Sequence, residues 1–358
     1  MIRALGWIIA LPLAALYGVL VHTRLALYRR GWKRAIALGI PTVAVGNLTA
    51  GGTGKTPVVS WLLTEARAAG ISSACLTRGY GRRTKTTLSR IRVTDGSLPD
   101  PLAVGDEVAM LAAMHPDVAF FVSPDRVASA HLARLTDAPH LLVMDDGYQH
   151  LRVRRDLNVL LVDAQARFGN GHVLPWGPLR EPLSEVRRAD VVLLTKSNLG
   201  DPDTAISELR ALGVGTPIFR CDYLATKVVR LDGAEMLPVS VLQGRSVNLL
   251  CGIARPDAFR ATVTGLGAAI AQMEIHPDHH PYPEEDLQRL ESRRIGGSRN
   301  SSPGDADWWL TTEKDAVKLR GRLAPDAAKR VWVVTMEAVP EPAARAFFLD
   351  TLRALTLH

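Results

Sequence analysis

Apolar positions follow two patterns along the chain. From Ala4 to Val21 ("ALGWIIALPLAALYGVLV") there is no charged residue. As a helix this run would reach ~27 Å, close to a hydrocarbon core, with Pro12 inside it. Beyond it, short runs rich in β-branched residues alternate with stretches of helical spacing. "PTVAVGN" (41–47), "SSACLT" (72–77), "IRVTD" (91–95), "VAFFVS" (118–123), "HLLVMDDG" (140–147), "LNVLLVDA" (157–164) and "ADVVLLTKS" (189–197) read as strands. "PVVSWLLTEARAAG", "GDEVAMLAAMHP", "PDRVASAHLARL" and "DTAISELRALG" read as the helices between or after them. This alternation predicts an α/β fold with a doubly wound parallel sheet. Ligands of such sheets bind at the carboxyl ends of the strands.

Around residues 222–240 the pattern changes to two extended runs about Asp232-Gly233, a hairpin signal. A smaller α/β unit then follows, with strand-like "SVNLLCGI" and "AAIAQMEIH" and helix-like "PDAFRATVTGLG" and "PEEDLQRLESRR". "GGSRNSSPGD" (296–305) reads as a polar loop, and "WWLTTEKDAVKL" and "RVWVVTM" as two closing strands with a helix between. The expected organisation is an N-terminal apolar helix (1–34), a larger α/β domain (35–221), a two-stranded linker (222–244) and a smaller C-terminal α/β domain (245–358).

The loop after the first strand, "GNLTAGGTGKTP" (46–57), brings in chemistry. Gly51, Gly52 and Gly54 permit positive φ, which turns backbone N–H groups toward phosphate at a helix N-terminus. Lys55 would reach the β- and γ-phosphates and Thr56 would hold Mg²⁺. Thr49 stands where the usual G-x-x-x-x-G-K-[ST] pattern has its first glycine. Strand, glycine loop and helix is nevertheless the context a P-loop requires.

Charge and cysteine usage narrow the setting. A net charge of +7 and pI near 9.5 favour anionic partners without choosing among them. Cys75, Cys221 and Cys251 are widely spaced and show no zinc spacing, as suits a reducing compartment. Arg24, Arg29, Arg30, Lys33 and Arg34 follow the apolar run, while only Arg3 and the amino terminus precede it, which places the downstream side in the cytoplasm. No A-x-A cleavage site follows, so membrane attachment is expected in place of a signal peptide. Whether the segment spans or lies in the interface stays open.

Polar residues cluster after the other strands. Asp145 and Asp146 end an apolar strand, where a second Mg²⁺ carboxylate belongs in a P-loop protein. His150 follows closely, though a lone histidine is usually structural. Arg78, Arg82 and Arg83 in "LTRGYGRR" suit phosphate or a solvated loop equally. Asp106 and Glu107 begin a helix, where capping alone would explain them. "HPDHHPY" (276–282) gathers three histidines and an aspartate, but no cysteine or spaced helical pair supports a metal. "LLTKSN" resembles the guanine-reading N/T-K-x-D stretch, but Asn198 replaces its carboxylate, which weakens a GTPase reading. A non-enzymatic membrane scaffold is the other rival, opposed by Lys55, Thr56, Asp145 and Asp146.

Assembled, these stretches resemble the tetraacyldisaccharide 4′-kinase family of lipid A biosynthesis. "LPLAALYG", "VAVGNLTAGGTGKTP", "LTRGYGR", "VGDEV", "SPDR", "DDGYQH", "GPLREP", "DHHPY" and "TTEKDAVKL" carry the resemblance over nearly the whole chain. That family's loop also tends to begin with a small hydroxyl residue. The resemblance implies MgATP-dependent phosphorylation of the 4′-hydroxyl of tetraacyldisaccharide 1-phosphate, giving lipid IVA at the cytoplasmic face of the inner membrane. It implies nucleotide contacts from Thr49, Ala50, Gly51, Gly52, Thr53, Gly54, Lys55 and Thr56, and a magnesium site of Thr56, Asp145 and Asp146. Asp106 paired with the histidine of the "DH" motif would activate the sugar hydroxyl. His279 matches that histidine, and His280 is the alternative. Arg78, Tyr80, Arg126, His150 and Glu181 fall on positions near substrate or nucleotide. Membrane lipid is the expected partner, with neither nucleic acid nor an obligatory protein partner. "GIARP" and the length of "GGSRNSSPGD" depart from the family pattern, away from the chemistry.

Overall fold

Strand β1 (Thr42–Asn47) lies between β5 (Leu141–Asp145) and β6 (Leu157–Asp163), parallel to both. All three are buried along their full length, as their β-branched and leucine-rich sequences require of a sheet covered on both faces. β2 (Ser73–Thr77) and β4 (Ala119–Val122) extend the sheet beyond β5, and β7 (Val191–Thr195) extends it beyond β6. The outer strand β3 is Ser89–Ile91, antiparallel to β4, so the extended run expected at 91–95 sits two residues earlier. The structure is a computed structural model and describes residues 2–82, 88–93, 98–292 and 308–357. Arg83, the end of "IRVTD", the end of the helix read at 283–294 and the loop "GGSRNSSPGD" lie outside the described residues.

Helices cover both faces. α2 (Lys55–Ala68) buries Val58, Val59, Leu62 and Leu63 against β1 and β5, each contributing roughly 1.5–3 kcal/mol. α3 (Pro101–Val104) and α4 (Asp106–Met114) lead into β4. α5 (Arg126–Thr136) packs on the opposite face, capped by the Asp125 carboxylate on the amides of Val127 and Ala128. α6 (Pro202–Ala211) lies beyond β7.

The strand β8 (Ile218–Arg230) joins two parallel regions. Its first residues pair parallel with β7, and its remainder pairs antiparallel with β13 (Val331–Pro340). The Asp232-Gly233 hairpin is present and returns through β9 (Met236–Pro238) onto β8. β10 (Ser246–Cys251), α7 (Pro256–Gly265), β11 (Ala269–Ile275), α8 (Glu284–Ser292), β12 (Trp309–Thr312), α9 (Glu313–Leu319) and α10 (Pro325–Ala328) build the second region. Among the described residues, thirteen strands form one mixed sheet, ordered β11-β10-β12-β13-β8-β7-β6-β1-β5-β2-β4-β3 with β9 beside β8. A final helix, α11 (Pro342–Thr356), was not anticipated from sequence. It returns to the first region, where Phe348 meets Trp61 of α2 edge-on with centroids 5.1 Å apart.

The first helix, α1 (Ile2–Arg29), contains a stretch, Ala10–Arg29, long and apolar enough to cross a membrane. Ala14 and Leu25 are buried against the body, while Leu11, Leu13, Leu16, Val19 and Leu20 are exposed. Three polar contacts fasten it: Tyr17 Oη donates to the Arg180 carbonyl (2.9 Å), Arg24 to the Gln149 carbonyl (2.8 Å), and Arg29 to the Glu185 carboxylate.

Candidate active site

β1, β5, β6 and β7 end at one rim, and the polar residues gather there. Gly51 and Gly54 take φ of 114° and 79° in the loop, and Gly54 caps α2. A side chain at Gly54 would collide with Tyr223, whose hydroxyl donates to the Gly54 carbonyl. Neighbouring loops hold the rest: Thr195 Oγ1 donates to the Thr53 carbonyl (2.9 Å), Lys196 Nζ to that of Gly52 (3.1 Å), and the amide of Ala50 to that of Pro178 (2.6 Å). The side chain of Asn47 donates to the carbonyl and hydroxyl of Thr49 at 2.7 and 3.0 Å, which gives the hydroxyl residue at that position a local role. Thr56, second residue of α2, is half-buried.

Lys55 Nζ donates to Asn47 Oδ1 at 3.2 Å and lies 3.5 Å from Asp146 Oδ1. Arg180 Nη1 holds Asp146 from the other side, at 3.0 and 2.8 Å from its two oxygens. Burial alone would raise Asp146, but Lys55 and Arg180 outweigh it and keep the carboxyl below its usual range. The turn fits tightly against β1, since a Cβ at Gly46 would lie 2.8 Å from the Tyr148 nitrogen.

Asp145 has the opposite electrostatics. Burial, then the charges of Glu107 and Asp146, push its carboxyl up to about 7 despite Lys55 and Arg126. Its neutral hydrogen-bond partner is Thr77 Oγ1 at 3.2 Å. Asp145 and Asp146 are adjacent carboxyls of opposite character, one raised by burial and neighbouring acids and one held low by Lys55 and Arg180, and carboxylate oxygens are the donors a hard divalent cation takes.

The second cluster is assembled across the two regions. His279 Nδ1 lies 3.1 Å from Asp106 Oδ2, at the start of α4. His279 adopts φ 62°, aimed by the turn after β11, and its own amide donates to Asp278 Oδ1. Lys314 Nζ is 3.2 Å from His279 Nε2 and 2.7 Å from Asp278 Oδ1. Lys318 Nζ, on a side chain only 2% exposed, reaches the same Asp106 oxygen at 3.1 Å and donates to the His280 carbonyl at 3.0 Å. His280 itself turns away to Asp286, 2.6 Å from Nε2 to Oδ2, so His279 is the histidine that faces Asp106. Glu107, next in the chain to Asp106, is the charge that presses on Asp145, which connects the two clusters.

Among the remaining sequence candidates, Arg126 is buried with Nη2 3.4 Å from the Asp145 carbonyl. Arg78 and Tyr80 are exposed on the loop after β2, with the Tyr80 ring 5.7 Å from that of His279. Glu181 stands apart from the acid pair, its buried carboxylate paired with Arg188 and raised by that burial. His150 is pushed down to about 4 by burial and then by Arg126 and Arg24. Among the described residues, Arg126 Nε, His150 Nε2, Gln149 Oε1 and Glu181 Oε1 are buried without a hydrogen-bond partner, a cost that a bound polar ligand would relieve.

Arg180, Lys196, Tyr223, Lys314 and Lys318 were not singled out from sequence. Lys314, Lys318 and Arg180 lie within "TTEKDAVKL" and "GPLREP", which was their only signal. Asn198 uses both ends of its amide on the Tyr223 backbone, each at 3.0 Å, and so serves the fold where a guanine-reading residue would face a base.

The family model for tetraacyldisaccharide-1-P 4′-kinase matches residues 6–353. A tetraacyldisaccharide 4′-kinase of Anaeromyxobacter dehalogenans is 38% identical over 321 residues, covering 87% of this chain and 81% of that protein. One from Chromobacterium violaceum is 36% identical over 347 residues, covering 95% and 93%. The crystal structure of the "apo" form of LpxK from Aquifex aeolicus in complex with ATP superposes with a TM-score of 0.77 at 26% identity, covering 99% of this chain and all of that one. By its matched length and its relatives, this chain belongs to the tetraacyldisaccharide-1-P 4′-kinase family.

Proposed function

We propose that the chain transfers the γ-phosphoryl group of ATP to the 4′-hydroxyl of tetraacyldisaccharide 1-phosphate, with Asp106 as the base. The Asp106–His279 pair at 3.1 Å is the observation that carries this reading, because it couples an imidazole to a carboxylate on the helix start whose next residue, Glu107, bears on Asp145. The acceptor oxygen forms its bond to phosphorus as the bond to the β–γ bridging oxygen breaks. The hydroxyl proton passes to Asp106, and ADP leaves. Asp106 Oδ2 is engaged by His279 and Lys318, which fixes the carboxylate and leaves Oδ1 out of those contacts, the oxygen we assign to the acceptor. Residues 49–56 hold the triphosphate, with Lys55 at its β- and γ-phosphates. Arg78, Tyr80, Arg126, His150 and Glu181 border the nucleotide and acceptor. Thr56, Asp145 and Asp146 would hold Mg²⁺, which supplies charge neutralisation on the phosphates. Transfer of label from γ-labelled ATP to the acceptor tests the whole reading, and ATP hydrolysis without lipid phosphorylation would refute it.

The electrostatics of Asp145 make a separate test of the cation site. Its carboxyl holds a proton more tightly in the folded chain than in the unfolded one. Its stabilising contribution is therefore intact below the ordinary 3.8 and lost as pH rises through about 7. In magnesium-free buffer, Tm should fall across that window relative to Asp145→Asn, and added Mg²⁺ should shrink the difference. Parallel pH curves for the two proteins would mean that the carboxyl is not raised, and a difference that Mg²⁺ leaves unchanged would remove the cation from this carboxylate.

We also assign α1 to the cytoplasmic face of the inner membrane, since the acceptor's acyl chains stay in the bilayer. Leu13, Leu16 and Leu20 face away from the body and are 49%, 59% and 61% exposed. Their burial in lipid contributes roughly 1.5–3 kcal/mol each, and exposed Arg30, Lys33 and Arg34 add up to about 1 kcal/mol per charge on an anionic surface. Replacing all three leucines by Gln (Leu13→Gln, Leu16→Gln, Leu20→Gln) should reduce co-sedimentation with anionic vesicles while ATP binding is kept. Unchanged sedimentation would assign attachment to another surface, such as the loop around Arg154.

A further inference from the structure

Behind the turn that carries His279 lies a second cluster of imidazoles and carboxylates. His276 follows β11, His280 lies in the turn, and Asp286 opens α8. One donor atom from each lies within 4.8 Å of those of the other two. The two imidazoles stack 4.2 Å apart with their planes 13° from parallel. His276 Nε2 is 3.0 Å from Glu274 Oε1, and His280 Nε2 is 2.6 Å from Asp286 Oδ2. All four side chains are 10–18% exposed, shielded yet reachable. Tyr282, fully buried, walls the cluster with its ring edge-on to both histidines at 5.3 and 5.0 Å.

We propose that His276, His280 and Asp286 bind a Zn²⁺ ion that braces this turn, with Glu274 orienting His276 from outside. Two imidazoles and a carboxylate, completed by a water, are a tetrahedral nitrogen and oxygen set that suits zinc. Magnesium, which favours oxygen ligands and keeps much of its water, is poorly served by it. With Zn–N near 2.0–2.1 Å, ligand atoms sit about 3.3–3.4 Å apart, so the donors draw inward by side-chain rotation. The ligands come from three places: the end of β11, the turn and the first turn of α8. An ion there would cross-link them and hold His279 in its left-handed conformation. It would also fix the His280 carbonyl that receives Lys318, and through Lys318 would act on Asp106. The ion is thus structural, outside the phosphate-binding rim and separate from the Mg²⁺ site.

The test is calorimetric titration of the EDTA-dialysed full chain with Zn²⁺ in excess Mg²⁺ and without nucleotide. One zinc per chain is expected, together with a rise in Tm. His276→Phe keeps the stacked ring, and Asp286→Asn keeps the hydrogen bond to His280. Each should weaken binding by about 100-fold or more, whereas His279→Ala should leave it unchanged. Co²⁺ added to the unsubstituted chain should give the intense visible bands of a tetrahedral site, a readout independent of how the variants fold. The proposal is overturned if no stoichiometric zinc binds, or if the Co²⁺ spectrum is that of an octahedral ion. It is equally overturned if His279→Ala or Asp145→Asn abolishes binding while His276→Phe does not, which would locate the ion in the catalytic cleft.

Discussion

Asp106→Asn should lower kcat by about 10²-fold or more with little change in the KM for ATP. Asparagine keeps the size of the side chain and an oxygen that can receive Lys318, but it cannot take the proton of a sugar hydroxyl. A role in binding alone would instead raise a KM and spare kcat. His279→Ala should give a comparable loss, because Asp106 then loses one of the two groups fixing its Oδ2. The double variant should lose much less than the product of the two single effects if the pair acts as a unit. Strict additivity in single-turnover rates would mean that the two side chains work separately, and an unchanged kcat in Asp106→Asn would mean that the base is another residue.

Lys55→Ala should cost about 10²–10³-fold in transfer, the range typical of removing one preorganised stabiliser of transition-state charge. In the structure its ammonium sits between Asn47 and Asp146, at 3.2 and 3.5 Å. Engaging a triphosphate therefore requires Lys55 to exchange at least part of the Asp146 contact for phosphate oxygens. Arg180 stays on Asp146 in the variant, so the fold loses little, and Tm should remain near that of the parent. Asp146 should also titrate higher without Lys55, since burial is then opposed mainly by Arg180. A folded Lys55→Ala protein with near-parental turnover would exclude the loop from phosphate binding.

What the sequence disclosed was what is local. A strand, three glycines, Lys55 and a helix lie within thirty residues, and a strand ending in Asp145-Asp146 announces its own chemistry. The rim was legible for that reason. The Asp106–His279 pair joins residues 173 positions apart, and periodicity cannot bring such residues together; it was reached only through resemblance. Lys318 reads as an ordinary surface lysine of a short helix, yet packing of α9 on α4 buries it against Asp106. Asn198 looked like a broken base-reading motif, and the structure gives its amide to the backbone of Tyr223. The helix α11 was missed although Pro342 at its start and the spacing of Phe348 and Leu352 mark it. That a single sheet runs through both regions is not written in any one segment, because β8 serves two partners of opposite direction, a choice made by its neighbours and not by its own residues.

The three polar contacts of α1 have a kinetic meaning. A membrane anchor on a slack linker only raises local concentration. Here Tyr17, Arg24 and Arg29 fasten α1 to the segments around Arg180, Gln149 and Glu185, so the proposed anchor and the phosphate-binding rim proposed above would move as one body. On the proposed attachment through α1, height and tilt over the bilayer would be set once, on landing, and an acceptor confined to the leaflet would be met by lateral diffusion alone. Turnover at fixed bulk acceptor should follow its mole fraction in the surface, falling as inert lipid dilutes it. A longer, uncoupled connection after Arg29 would leave the protein on the membrane but return to it the rotational search that the docked helix removes.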